Sequence, residues 1–310
     1  MTLAQSLFGG DPDDMKHESQ RVAPGLKDPV SSVNCWYGSD YCAVVSRDGW
    51  VRLFSLPDRC FLRDVFTHND SGGVSVAFSA DDQRCFLGSY HAWGLACFTV
   101  STGECKWKRE DLRRFRGLTF SAKLHRLFAY FEGKSALEMD PETGQTMQSF
   151  RGTTDLVASP LNDLLLFGDK KSLSLWRGTS KKLWTVSREG FAVLDVAWAL
   201  DTVAISEARD TARDFGVRCF STHGELLWRH HSRKTQVSPL MYNPARRVYV
   251  GVDYTPGTED RFLIHWDEET GKIQHERTIP HTMHGALCQR GETSFRINWS
   301  TLEFSLDAAC

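Results

Sequence analysis

The sequence predicts an all-β chain: a single seven-bladed β-propeller of four-stranded antiparallel blades, with the ring closed by the chain's own N-terminal strand. Three observations carry this expectation. A unit of about 40 to 45 residues recurs along nearly the whole chain, each unit holds four short runs that alternate or are wholly apolar, and the last unit ends one strand short.

The clearest copy runs from Gly73 to Trp107: V-S-V-A-F-S, the turn A-D-D-Q, R-C-F-L-G-S, a loop, G-L-A-C-F-T-V, the turn S-T-G-E, then C-K-W. Aromatic and β-branched residues fill the runs, Asp, Gly, Ser and Thr fill the breaks, and helical periodicity is absent. The final turn recurs at Leu56-Pro57-Asp58, Ser101-Thr102-Gly103, Glu142-Thr143-Gly144, Gly178-Thr179-Ser180, Thr222-His223-Gly224 and Glu269-Thr270-Gly271, its middle residues 45, 41, 36, 44 and 47 apart. This spacing predicts blades at approximately 30–66, 73–109, 116–150, 153–187, 192–230, 236–279 and 284–310. The last lacks a strand, which residues 16–23 are expected to supply. Residues 1–15, containing D-P-D-D, read as a flexible arm.

Composition limits the function classes. The chain of 310 residues carries 37 Lys and Arg against 39 Asp and Glu, a net charge of −2, so it does not bind nucleic acid or anionic membrane through bulk charge. The longest apolar stretch, Phe191 to Leu200, is short and interrupted by Asp195, which excludes a membrane-spanning helix. Met1 to Gly10 lacks the basic start of a secretory signal, and a cytoplasmic monomer is expected. The nine cysteines form no C-x-x-C pair, and Cys42, Cys85, Cys97 and Cys219 sit inside strand-like runs as small buried hydrophobes.

These residues resemble the WD-repeat and quinoprotein-like propeller superfamily. S-R-D-G-W-V-R-L-F-S-L (Ser46 to Leu56) is similar to the family's second-to-third-strand hairpin, and His265-Trp266-Asp267 keeps a Trp-Asp pair. T-G-E-C-K-W, H-G-E-L-L-W and T-S-K-K-L-W place Trp107, Trp228 and Trp184 four residues after a turn residue, as in the quinoprotein-like branch. The resemblance implies that these indoles dock between adjacent blades. It implies no cofactor, because calcium-ligand and paired-cysteine features of the cofactor-using members are missing.

Loops at the channel mouths are the expected functional sites. The connection Lys106 to Arg116 holds six basic and two acidic residues, Arg109, Arg113, Arg114 and Arg116 among them; Arg229 to Lys234 (R-H-H-S-R-K) adds Arg229, His230, His231, Arg233 and Lys234 with no acid. Long second-to-third-strand loops are expected at Glu207 to Gly216 and Asp253 to Arg261, with Phe215 and Tyr254 as anchors, and Tyr90, His91 and Trp93 form a third rim group. Asp64, Asp155 and Asp195 are candidates to point into the channel. His68, His281 and His284 lie in blade connections, but no metal-ligand spacing recurs and no metal is expected.

The leading reading is a non-catalytic scaffold whose positively charged rim binds a macromolecule, a protein with an acidic epitope first. A small-molecule- or metal-binding enzyme of hydrolase or lactonase type, using Asp and His groups at the channel, is the alternative. Single-stranded nucleic acid on Trp107, Arg113, Phe115 and Arg116 is a third.

Overall fold

A computed structural model of the protein describes residues 35–306 apart from 38–39, 46–49, 56, 59, 68–73, 90–93, 133–134, 189, 210–213, 233–236, 255–260, 280–284, 291–292 and 299–303; residues 1–34 and 307–310 are also left out. The described residues form seven antiparallel sheets, six of four strands and one of three, each built from consecutive strands in chain order. We number them as blades one to seven. Their first strands are Cys35–Tyr37, Val74–Phe78, Phe115–Ser121, Asp155–Ala158, Ala192–Trp198, Val237–Asn243 and Gly285–Arg290. First strands of successive blades lie beside one another, as in blades one and two, two and three, three and four, five and six, and six and seven; Cys35–Tyr37 also lies beside Gly285–Arg290. The first strands are therefore innermost, and the last strands, such as Cys105–Arg109, Thr146–Arg151 and Leu226–Ser232, form the perimeter.

Strand periodicity explains why the sheets stack rather than lie open. Successive side chains leave a strand on opposite faces. In blade two, Val76, Phe78, Cys85, Leu87, Ala96 and Phe98 pack toward Ala43 and Leu53 of blade one, while Ala77, Phe86, Leu95 and Cys97 pack toward Leu118 and Leu127 of blade three. Both faces are apolar, so each blade must be covered twice. The resulting core lies between blades, and it holds Cys42, Cys85, Cys97 and Cys219 as buried side chains. Burial raises the thiols of Cys97 and Cys219 to about 12.

Tryptophans dock across three of the junctions, as the resemblance implied. Trp107, Trp184 and Trp228 each lie on the positive-φ glycine of the next blade's third-to-fourth-strand turn, Gly144, Gly224 and Gly271. Their indole N–H groups donate to turn carbonyls: Trp107 to Pro141 at 2.9 Å, Trp184 to Thr222 at 3.2 Å and Trp228 to Glu268 at 2.9 Å. Two of these turns share the pattern D-x-x-T-G, in which Asp140 accepts from the backbone N–H of Glu142 and Thr143, and Asp267 from that of Glu269 and Thr270. These bonds hold both carboxyls below the usual carboxylate range, chiefly through Thr143 and Thr270.

The glycine requirement is testable against an internal control. A Cβ at Gly271 would lie 2.5 Å from the Trp228 ring, whereas at Gly152, also at positive φ, it would meet nothing within 4 Å. Gly152→Ala is expected to cost about 1 to 2 kcal/mol from backbone strain alone. Gly271→Ala is expected to cost roughly 2 kcal/mol more, through displacement of the indole. Urea unfolding of the two variants gives the difference.

Candidate functional site

The structure places the predicted rim residues differently from the sequence reading. Arg109 and Arg229, His230 and His231 belong to the outermost strands Cys105–Arg109 and Leu226–Ser232, and Arg116 to the innermost strand Phe115–Ser121, so they are not loop residues. The hairpin ladders also continue further than expected. Phe215 pairs with Ala208 and Ser232 inside blade five and is half-buried; Tyr254 pairs with Arg261 at the end of its strand. The long loops thereby shrink to 210–213 and 255–260. Tyr90, His91, Trp93, Arg233 and Lys234 lie outside the described residues.

Much of the predicted positive charge is matched locally. Arg109 makes two 2.7 Å bonds to Asp111 and donates to the Gly144 carbonyl at 2.8 Å, which makes it a tie to the next blade. Arg116 pairs with Glu132 at 2.7 Å, Lys106 with Glu104 at 3.0 Å and Lys108 with Glu110 at 2.7 Å. Arg113 and Arg114 are exposed and have no ion pair among the described residues. Arg229 lies over the Phe191 ring at 5.4 Å, and His230 packs against Trp266 at 5.1 Å. The nucleic-acid strip loses its stacking faces, because Trp107 is docked on Gly144 and Phe115 is buried against Phe131 at 4.6 Å.

A site that the sequence reading passed over lies at the opposite face. Antiparallel alternation puts the first-to-second-strand and third-to-fourth-strand turns on one side of the ring. There the innermost strands of blades two to six end around an apolar cavity of about 480 Å³, whose walls include Val76, Leu118, Val157, Val196, Met241 and Tyr242. Pro160, Leu161 and Pro244 stand at its turn-side end. Among the described residues, the large hydrophobic side chains that stay exposed share this face: Leu161 (53%) and Leu200 (65%) in first-to-second-strand turns, and Met147, Leu226, Leu227 and Ile273 just after third-to-fourth-strand turns. The available signal was apolar residues inside turn motifs, S-P-L-N-D and A-L-D.

Polar groups collect one step along the same innermost strands. Tyr130 of blade three crosses over Gly117, where a Cβ would fall 2.2 Å from its ring. Burial and the carboxylates of Asp155 and Asp195 raise its phenol well above the ordinary range. Asp155 is bound by Arg188 at 2.7 Å, and Arg188 also donates to Thr154 Oγ1 at 2.9 Å, to the Asp169 carbonyl at 2.6 Å and to the Phe191 carbonyl. Asp195 sits at a bulge, accepting from its neighbour Val196 and from Leu240 of blade six, each at 2.9 Å. Burial pushes its carboxyl up to about 6, against the lowering effect of those two bonds. Asp64, by contrast, lies on the outermost strand Cys60–Thr67 and meets Arg52, so it does not join them. Nor do the histidines: His230 and His231 lie on the perimeter, and His68, His281 and His284 are outside the described residues. Among the described residues no group of three His, Cys, Asp or Glu is placed to hold a metal ion.

Comparison with known proteins gives the fold. Neither a protein-family model nor a curated protein matches the sequence. Among solved structures, the chain is similar to one from the crystal structure of the Mitotic Checkpoint Complex, with 15% identity, 92% of this chain and 89% of that chain covered, and a TM-score of 0.72. It is also similar to the β-propeller domain of Cps50 (Swd1) from Myceliophteria thermophila, with 12% identity, 92% and 100% covered, and a TM-score of 0.67. The chain is a β-propeller.

The elevated carboxyl of Asp195 makes stability depend on pH. Its folded pKa of about 6 exceeds that of an ordinary aspartate, so its contribution is fully present below about pH 4 and is lost as pH rises through 6. Asp195→Asn removes that slope. Because the amide has one oxygen for two N–H donors, the variant is expected to be less stable than the native protein at pH 4 and to close the gap by pH 7. Thermal melts across that range check this.

Proposed function

We propose that this protein is a non-catalytic propeller scaffold that binds a protein partner. The observation that carries the reading is the gathering of exposed apolar side chains, Leu161 and Leu200 foremost, on the face where the apolar cavity lies. Exposed hydrophobic surface in a folded chain costs solvation free energy, and its concentration on one face is the mark of a surface covered by another molecule. The fold agrees with this, since it presents many short loops on a rigid frame. One of the similar solved structures is a component of a multi-protein complex.

The opposite rim, with Arg113, Arg114, Arg229 and His231, and with Arg233 and Lys234 next in sequence, supplies a second contact suited to an acidic segment. We take the ring as seven-bladed and closed, with residues 16–23 adding the outermost strand to blade seven. The approach of Cys35–Tyr37 to Gly285–Arg290 supports this, because it brings the first and last blades together.

Capture of partners from cytosol with two paired variants tests the reading. Leu161→Glu with Leu200→Glu is expected to lower recovery of a stoichiometric partner at least tenfold. Arg113→Glu with Arg114→Glu is expected to weaken it several-fold and to flatten its salt dependence. Full recovery with both variants would discard the scaffold reading.

A further inference from the structure

Two features adjoin along the innermost strands. One is the apolar cavity, walled by residues such as Leu118, Val157, Val196 and Leu240. The other is a polar group beside those strands: Tyr130, from the second strand of blade three, above Gly117, Asp155 two residues before Val157, and Asp195 directly before Val196 and bonded to the backbone of Leu240. The walls are mostly apolar, and the charged groups lie at the level of Gly117, Asp155 and Asp195, away from the turns.

Charge at that level is unevenly matched. Asp155 has Arg188 at 2.7 Å. On the second strand of blade five, which pairs with the Asp195 strand, Glu207 accepts from Nε and Nη2 of Arg218. Arg116, the nearest other cation influencing Tyr130, is tied to Glu132. Asp195 has two backbone N–H donors and no cation among the described residues, and it is half-buried. The Tyr130 hydroxyl makes no hydrogen bond within the described residues, so both groups have capacity left for a guest. A recessed carboxylate without a counter-charge is costly, and an incoming cation relieves that cost.

We propose that the channel binds an organic cation with an apolar body: the hydrocarbon lies in the cavity, and the ammonium or guanidinium group meets Asp195, with the Tyr130 hydroxyl as a neighbouring acceptor. The guest is a small amine or a lysine or arginine side chain projecting from an apolar segment. Both offer the same chemistry to the channel. Neutral and anionic analogues lack the contact with Asp195 and are disfavoured. This goes beyond the scaffold reading and does not require it, since the contact with Asp195 involves neither the basic rim nor Leu200.

The probes are hexylammonium and 1-hexanol, which share a chain and differ in charge, followed by propylammonium for chain length. At pH 7.5 hexylammonium is expected to bind at least tenfold more tightly than hexanol in calorimetry, with affinity rising about fourfold per methylene between the propyl and hexyl chains. Lowering the pH to 5 protonates Asp195 and is expected to shrink the preference to less than threefold. Asp195→Asn is expected to remove the preference at every pH, and Tyr130→Phe to reduce it while leaving the melting temperature nearly unchanged. The pH comparison uses the unaltered protein, so it stands even where Asp195→Asn folds poorly. Equal binding of amine and alcohol at pH 7.5, or a preference that survives in Asp195→Asn, would overturn the proposal. A 12-residue apolar peptide with one central lysine separates the sources: tighter binding than hexylammonium assigns the cation to a partner segment, and weaker binding assigns it to a free amine. Loss of partner capture in Leu200→Glu, which lies outside the cavity lining, with amine binding intact would leave this site standing by itself.

Discussion

A blade of this protein has two apolar faces, and every other feature follows from the need to cover both. Val76 and Ala77 are adjacent in sequence yet belong to different cores, one shared with blade one and the other with blade three. A sheet of this kind has no solvent face to present, so it is stable only between two others. The approach of Cys35–Tyr37 to Gly285–Arg290 brings the two end sheets of the stack toward each other.

Packing at the perimeter is less uniform than at the core. The same register position, the last pair before the bulge in each outermost strand, is occupied by Arg63, Trp107, Gln148, Trp184, Trp228 and His275. Where it is tryptophan, the ring covers a glycine of the next turn and its N–H finds a carbonyl. At the junction of blades three and four the position is Gln148, and the gap is filled by Phe150 of the same strand, Leu124 of a turn and Trp176 of blade four. Arg63 lays its hydrocarbon stem toward Gly103 instead. The indole latch is thus one of several ways to close a wedge that the fold itself imposes, and Arg109, bonded to Gly144 from the same strand as Trp107, reinforces it.

The innermost strands are where this economy of burial is relaxed. Bulges near Asp195 and Leu240 leave backbone N–H groups that the Asp195 carboxylate satisfies, at the cost of holding an acid in a poorly hydrated place. Tyr130 reaches over a glycine that any larger residue would block. The apolar cavity and its exposed leucines lie toward the turns, and the polar cluster lies deeper. Hydrophobic contact is thereby available at the surface and charge selection inside.

The sequence by itself determined the architecture. Period-2 apolar runs, Asp and Gly turns at fixed spacing and the recurring tryptophans are local signals, and each strand's partner is its neighbour in the chain, so local information suffices. It also placed Asp155 and Asp195 on innermost strands. What it did not carry was the fate of charge. Lys106, Lys108, Arg109 and Arg116 read as a basic strip, but their carboxylate partners lie within a few residues on a twisted ladder or across a hairpin at Glu132, and only the folded geometry matched them. The exposed apolar face was likewise decided by tertiary structure. Leu161 and Leu200 are 39 residues apart in the chain and become parts of one rim only when successive blades set their first-to-second-strand turns on the same side. Strand pairing here is local in sequence, whereas a channel is assembled from one residue per blade, and no stretch of sequence shorter than the ring contains it.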